Sequence, residues 1–299
     1  MDQWTVALLT DFGPGSEYVG VVKGVLLKAF AAQPHATAPA TIVDLCHTIA
    51  PQAVVSGAWV LRSARPHYPA RTVFLCVVDP GVGSARRALA VFFDRPGTPV
   101  FVGPDNGLLW QAVADTAVAT GARALVAVLP TENAASRTFH GRDVFAPAAA
   151  AAVLCRGDHR AFAAALRVPA LRVVPLAEMV VLDLGSRTTT DGAGVCTVQG
   201  VVVLVDHYGN MVTSAEAPGG GGAWRVRCVV ERGAGQDALV LEGLHLRQTY
   251  AEGRPGELFV ITGSSGTLEL SVTNGDATKA LAPAHIPLGS QITFQLTPK

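Results

Sequence analysis

The chain has 299 residues, enough for roughly two domains of about 150 residues each. Lysine plus arginine number 23 and aspartate plus glutamate 23, so the formal charge is zero and the pI lies near 7.1, which leaves no global field to hold a polyanion and argues against general nucleic-acid binding. Charged residues make up 15% of the chain, against about 25% in an average soluble domain, and the mean hydropathy is +0.35. The longest apolar run, residues 145–155, still contains Pro147 and falls short of the roughly 18 residues a membrane-spanning helix needs. The apolar excess is therefore expected in a large core or a subunit interface.

In chain order, Met-Asp-Gln leads into a strand-like run without a basic leader, so no secretory signal is expected. Strands are predicted over 4–9, 41–45, 72–78, 88–93, 99–102 and 124–128, and helices near 17–31, 52–64, 106–115 and 142–155. This alternation predicts an α/β N-terminal domain, with a mixed, Rossmann-like sheet between helices, over residues 1–180. Three loops rich in Gly, Pro, Asp and Asn follow strands, at 10–15, 79–83 and 103–107. In an open α/β sheet such loops build the ligand site, so all three are expected on one rim. Residues 181–194 include a polar, glycine-rich run and read as a linker or turn. Short β-type runs at 195–205, 225–230, 258–262, 268–272 and 292–296 then predict a C-terminal antiparallel β-barrel over 195–299. Gly219 to Gly222 reads as a hairpin tip.

Several positions carry candidate chemistry. Asp11, at the end of the first strand, is placed to accept the two hydroxyls of a ribose, or to serve as a turn residue capping the following helix. Asp79 and Arg86 flank a loop whose two glycines let the backbone turn back, so the two charges are expected to approach and orient a small molecule. As a bare motif, Asp-Pro-Gly is also an ordinary turn. His140 precedes an Ala-rich helix and reads either as a proton relay near neutral pH or as a structural cap. Asp206 to Asn210 and Gly263 to Gly266 read as hairpin turns. The cysteines at 46, 76, 155, 196 and 228 fit neither a disulfide framework nor a zinc ribbon, which suits reduced thiols in the cytoplasm. Scattered His and Cys residues support no metal site, and there is no Gly-x-Ser-x-Gly elbow or Walker loop.

Taken together and in order, Thr-Asp-Phe-Gly at 10–13, Val-Asp-Leu-Cys-His at 43–47, Val-Asp-Pro-Gly-Val-Gly at 78–83, Gly-Pro-Asp-Asn-Gly-Leu-Leu at 103–109, Phe-His-Gly-Arg-Asp-Val-Phe-Ala-Pro at 139–147 and Asp-His-Tyr-Gly-Asn at 206–210 resemble one family. It is the S-adenosyl-L-methionine (SAM) hydrolases, or SAM hydroxide adenosyltransferases, relatives of the bacterial fluorinase and chlorinase. The resemblance implies a homotrimer with SAM bound between one subunit's N-domain and its neighbour's C-domain, and attack of water on C5′ to give adenosine and L-methionine. It implies that SAM is the substrate and that no cofactor is used. It assigns catalysis to Asp79, Arg86 and His140, the ribose to Asp11, the adenine edge to Asn210, its faces to Tyr208 and Tyr250, and the methionine ammonium and carboxylate to Asp206 and Ser264. Ser265 stands where the halogenases carry an Arg that contacts the carboxylate, and Gln52 where they carry a Trp. The halogenating relatives replace the positions of Asp79 and His140, and fluorinase has an insertion where Phe93 to Val100 is a short turn here, so the resemblance favours a hydrolase. A SAM-dependent halogenase and a non-catalytic adenosine or SAM sensor are the alternatives.

Overall fold

A computed structural model describes residues 3–32, 40–132, 134–166, 173–219, 223–233, 235–282 and 284–298; most of the expected 219–222 hairpin tip lies outside them. The chain divides into two compact units, residues 1–182 and 183–299.

The first unit is built on strands β1 (Trp4–Thr10), β2 (Ala40–Cys46), β3 (Thr72–Val77), β4 (Ala88–Phe93), β5 (Val100–Pro104), β6 (Ala124–Leu129) and β7 (Val173–Val174), in the order β2-β1-β3-β5-β4-β6-β7. β2, β1, β3 and β5 run parallel, while β4, β6 and β7 are antiparallel to their neighbours. Every residue of β3, β4 and β5 is buried, as their unbroken apolar sequences require of strands covered on both faces. On one face, Val22, Leu26 and Phe30 of α1 (Glu17–Ala31) pack with Ala148, Ala149 and Ala152 of α4 (Ala146–Leu154) against Val6, Leu8, Val73, Leu75 and Phe92. Each such large side chain contributes roughly 1.5–3 kcal/mol on burial. α2 (Val54–Ala64) approaches closely, since a Cβ on its Gly57 would lie 2.8 Å from Leu108. α3 (Trp110–Thr120) starts later than expected because the Asn106 side chain takes the Leu108 N–H (3.1 Å) and donates to the Val78 carbonyl (2.8 Å), holding 106–108 as a turn. α5 (His159–Ala165), capped by Asp158, is a helix the sequence pattern does not predict.

The second unit contains β8 (Arg187–Thr190), β9 (Cys196–Val205), β10 (Met211–Glu216), β11 (Trp224–Val230), β12 (Leu239–Arg247), β13 (Leu258–Thr262), β14 (Thr267–Val272), a short helix α6 (Ala277–Ala280) and β15 (Gln291–Pro298). β9, β10, β14, β13, β12, β11 and β15 close into a seven-stranded barrel through the β9–β10 pairing. The long β9 serves two partners along one edge, β8 at residues 196–199 and β10 at 202–205, while β15 lies along the other. Gly200 sits at the crossover, where a Cβ would come within 2.6 Å of the Ala215 nitrogen. All barrel pairings are antiparallel except β12–β13. Three strands depart from the expected pattern. β8 lies within the stretch read as a linker, β10 is masked by its Thr-Ser centre, and β12 is interrupted by Glu242-Gly243.

Candidate active site

β1, β3 and β5 are adjacent and parallel, so the loops leaving their carboxyl ends share one rim. The loop after β3 folds back through successive turns, Val82 N–H to the Asp79 carbonyl (3.2 Å) and Ser84 N–H to the Gly81 carbonyl (3.1 Å). Gly83 has φ +77°, and a Cβ there would lie 2.6 Å from the Arg137 carbonyl, so only glycine fits. The fold-back brings Arg86 onto Asp79 as a fork: Nε donates to Oδ1 at 2.9 Å and Nη2 donates to Oδ2. Both side chains are nearly buried, 5% exposed for Asp79 and 9% for Arg86. The guanidinium also lies 5.3 Å from the centre of the Phe145 ring, which shields it from water.

The second proton on Arg86 Nη2 is directed at His140 Nδ1, 2.9 Å away. A guanidinium only donates, so Nδ1 must present a lone pair, and His140 is the neutral imidazole with its proton on Nε2. Burial lowers the affinity of this ring for a second proton and the Arg86 charge lowers it further, against the opposing pull of Asp79 and Asp143. His140 is held by the segment around it. Asp143 accepts the Ser136 N–H (2.8 Å) and pairs with Arg142 (2.7 Å), and residues 141–145 form a π-helical turn before α4. Single π turns of this kind are frequent at functional sites.

Asp11 does not cap α1. That role belongs to Ser16, whose hydroxyl accepts the Tyr18 N–H at 3.2 Å. Asp11 Oδ2 instead accepts the backbone N–H of Gln52 at 2.8 Å, and Gln52 adopts φ +65°, a left-handed conformation that costs a non-glycine residue roughly 1 kcal/mol or more. The rings of Phe12, Tyr18 and Phe139 meet edge to face, with centroids 4.9–6.1 Å apart, so the loop carrying Asp11 touches the one carrying His140. Behind this rim Asp105 accepts from Arg87 (2.7 Å) and from the Val180 N–H (2.9 Å).

In the second unit Asp206 closes the β9–β10 turn. Its Oδ1 accepts the N–H groups of Tyr208 and Asn210, and its Oδ2 accepts from the Asn210 side chain, all at 2.9 Å. Tyr208 projects from this turn, 77% exposed. Ser264 and Ser265 form the exposed tip of the β13–β14 turn. Tyr250 donates to Glu269 Oε2 at 3.4 Å, and both groups lie in the field of Asp206. Glu269 was not expected. Its strand reads Thr-Leu-Glu-Leu-Ser-Val, which predicts a solvated face, yet Glu269 is only 6% exposed. Burial, with Asp206 adding to it, pushes its carboxyl up to about 7. A Cβ at Gly263 would overlap Glu269 Oε1, so glycine there is what allows the carboxyl its place. Phe139 and Phe145 were also missed as site residues, because an aromatic near a helix start reads as core.

Among the described residues no cluster of three or more His, Cys, Asp or Glu could hold a metal ion, and no helix is long and apolar enough to cross a membrane. Residues 6–161 match the SAM hydroxide adenosyltransferase N-terminal domain, and residues 200–285 match the C-terminal domain of the same family. The chain is 36% identical over 286 residues to the (R)-S-adenosyl-L-methionine hydrolase of Thermus thermophilus, covering 92% of this chain and 94% of that protein. It is 34% identical over 282 residues to the enzyme of the same name from Salinispora tropica, covering 92% and 93%. Fluorinases are more distant relatives. A crystal structure of an uncharacterized conserved protein from Thermotoga maritima superposes with a TM-score of 0.69 at 28% identity, covering 97% of this chain and 99% of that one. With both halves matched and the charged rim assembled, the chain belongs to the SAM hydroxide adenosyltransferase family.

Proposed function

We propose that the protein hydrolyses S-adenosyl-L-methionine to adenosine and L-methionine, with Asp79, Arg86 and His140 as the catalytic residues. The observation that carries this reading is the preassembled, nearly buried Asp79–Arg86–His140 cluster on the rim formed by β1, β3 and β5. The sulfonium already makes methionine a neutral leaving group, so the protein's task is to hold one water in line with the C5′–S bond. Asp79 accepts a hydrogen bond from that water. As the C5′–O bond forms and the C5′–S bond breaks, its electron pair leaves with sulfur, and the water proton passes to Asp79 and then to solvent. Arg86 fixes the carboxylate, and the Nε2–H of neutral His140 supplies a donor for the developing hydroxide.

Substrate recognition follows from the remaining groups. Asp11 accepts the ribose hydroxyls, Asn210 meets the adenine edge, and Tyr208 and Tyr250 lie on its faces. Asp206 takes the methionine ammonium, and Ser264 with Ser265 the carboxylate. Charge-assisted bonds contribute roughly 1.5–3 kcal/mol each. A few of them, with adenine stacking at about 1–3 kcal/mol per face, support micromolar affinity of about −8 kcal/mol after association costs. SAM acts as substrate and no cofactor enters the scheme. Because the ribose and catalytic groups belong to one unit and the methionine and adenine groups to the other, the reading includes a homotrimer with sites at subunit interfaces. The charge-poor, apolar composition supports it. The five free cysteines support a cytoplasmic protein.

Chromatography of SAM incubated with the protein, with and without chloride, tests the reading. Adenosine and methionine in equal amounts, independent of chloride, are expected. Intact SAM with tight binding, or chloride-dependent 5′-chloro-5′-deoxyadenosine, would overturn it.

A further inference from the structure

The segment Val-Asp-Leu-Cys-His at 43–47 takes no part in the scheme above, yet it ends a chain of side chains that reaches the ribose carboxylate's loop. Lys23 Nζ donates to Asp44 Oδ2 at 2.7 Å. Asp44 Oδ1 lies 2.9 Å from His47 Nε2, and because a carboxylate accepts, Nε2 carries the proton. His47 Nδ1 lies 2.9 Å from the hydroxyl of Thr10, the residue immediately before Asp11. That hydroxyl also accepts the N–H of Phe12, the residue immediately after Asp11, at 3.3 Å. The His47 carbonyl accepts the Gly13 N–H at 3.0 Å. Residues 10, 12 and 13 are thus all tied to His47 or to the hydroxyl it holds, while Asp11 itself is left to meet Gln52 and whatever enters the rim.

The chain is built rather than incidental. His47 is 8% exposed and Thr10 is 2% exposed, so neither can exchange its partner for water without cost. β2 and β1 pair in parallel with a register shift between Leu8 and Leu9, where Cys46 stands opposite Leu9. The irregularity falls at the end of both strands, where residue 47 crosses to residue 10.

We propose that Thr10 and His47, backed by Asp44 and Lys23, are positioning residues that hold Asp11 in the orientation that accepts a ribose diol, so that sugar selectivity depends on a histidine that never touches the ligand. The proposal rests on the assignment of Asp11 to the ribose, and its test separates the two. The probes are adenosine and 2′,3′-dideoxyadenosine, which differ only in the diol, each titrated calorimetrically into the full-length protein. The wild type prefers adenosine by about 10- to 100-fold, the range expected of hydrogen bonds to a charged acceptor. Asp11→Ala removes that preference.

Thr10→Val keeps the side-chain volume but cuts both hydroxyl contacts, and it lowers the preference at least about fivefold. Thr10→Ser restores it. His47→Gln, which cannot span both partners, acts like Thr10→Val and raises the KM for SAM more than it lowers kcat. Adding Thr10→Val to Asp11→Ala changes the preference no further, because both act through one carboxylate. A general loss of stability would weaken both nucleosides alike and leave the ratio intact. If Asp11→Ala abolishes the preference while Thr10→Val and His47→Gln keep the wild-type ratio, the positioning role is wrong and the Asp11 assignment stands. A wild type that binds both nucleosides equally removes the Asp11 assignment and this proposal with it.

Discussion

Asp79 in the first unit and Glu269 in the second are both nearly buried carboxyls, and they are treated in opposite ways. Asp79 is forked by Arg86, whose second Nη2 proton engages His140, so a full negative charge is matched on the spot. Glu269 faces Asp206 and the Tyr250 phenol, neither of which offers a positive charge, and it meets its burial by holding its proton up to about pH 7. A matched ion pair keeps its geometry without a ligand, which suits the water-aiming role proposed for Asp79. A carboxyl beside a second carboxylate leaves a region of negative potential that a cation relieves, in keeping with the ammonium contact proposed for Asp206. The buried charge is rigid in one unit and responsive to pH in the other.

The largest effect is expected at Asp79. Asp79→Ala should lower turnover by about 10²–10⁴, the usual contribution of a positioned proton acceptor, while SAM still binds. Single-turnover kinetics alongside calorimetry check this, and full activity in the variant would remove Asp79 from the mechanism. The variant should also be less stable by about 3–5 kcal/mol, because Arg86 is left as an unmatched buried charge.

Glu269 gives the next largest effect. The folded protein keeps this proton up to about pH 7, whereas the unfolded chain releases it near 4.5, so between those values the folded state binds more protons and stability falls as pH rises. The span corresponds to about 3 kcal/mol. Glu269→Gln should therefore be no better than wild type at pH 4.5 and clearly more stable at pH 8, as read by denaturant melts at both values. Parallel pH profiles would show that Glu269 does not carry the raised carboxyl.

The smallest effect belongs to His140. Its proton affinity is lowered in the folded state, so the unfolded chain binds the extra proton first as pH falls below 6.5, and stability is lost with it in that window. Protonated Nδ1 cannot accept from Arg86, so kcat/KM should fall along an acid limb centred below pH 6.5. His140→Asn should remove that limb. An acid limb unchanged in the variant would assign it to another group.

Much of the first unit was legible because its central strands β3, β4 and β5 are buried on both faces and read as unbroken apolar runs such as Thr-Val-Phe-Leu-Cys-Val. The second unit was less so. In β10 the buried polar pair Thr213 and Ser214 breaks the apolar run, and in β12 Glu242-Gly243 interrupts the alternation, so neither reads as a strand. For the site, the approach of Asp79 and Arg86 followed from two glycines in one short loop. His140 joins them across 54 residues, a contact no local pattern encodes. Asp11 was legible as a residue but not in its partner, because the Gln52 amide reaches it only through a left-handed backbone. Glu269 was not legible, because alternation predicts which face of a strand a residue is on, not what covers that face.

In the proposed reaction water, aimed by Asp79, attacks C5′ directly. Turnover of SAM in ¹⁸O-labelled water, followed by mass spectrometry of the nucleoside, measures it. One labelled oxygen per adenosine, in the 5′-hydroxyl, is expected; unlabelled adenosine would rule out direct attack by water.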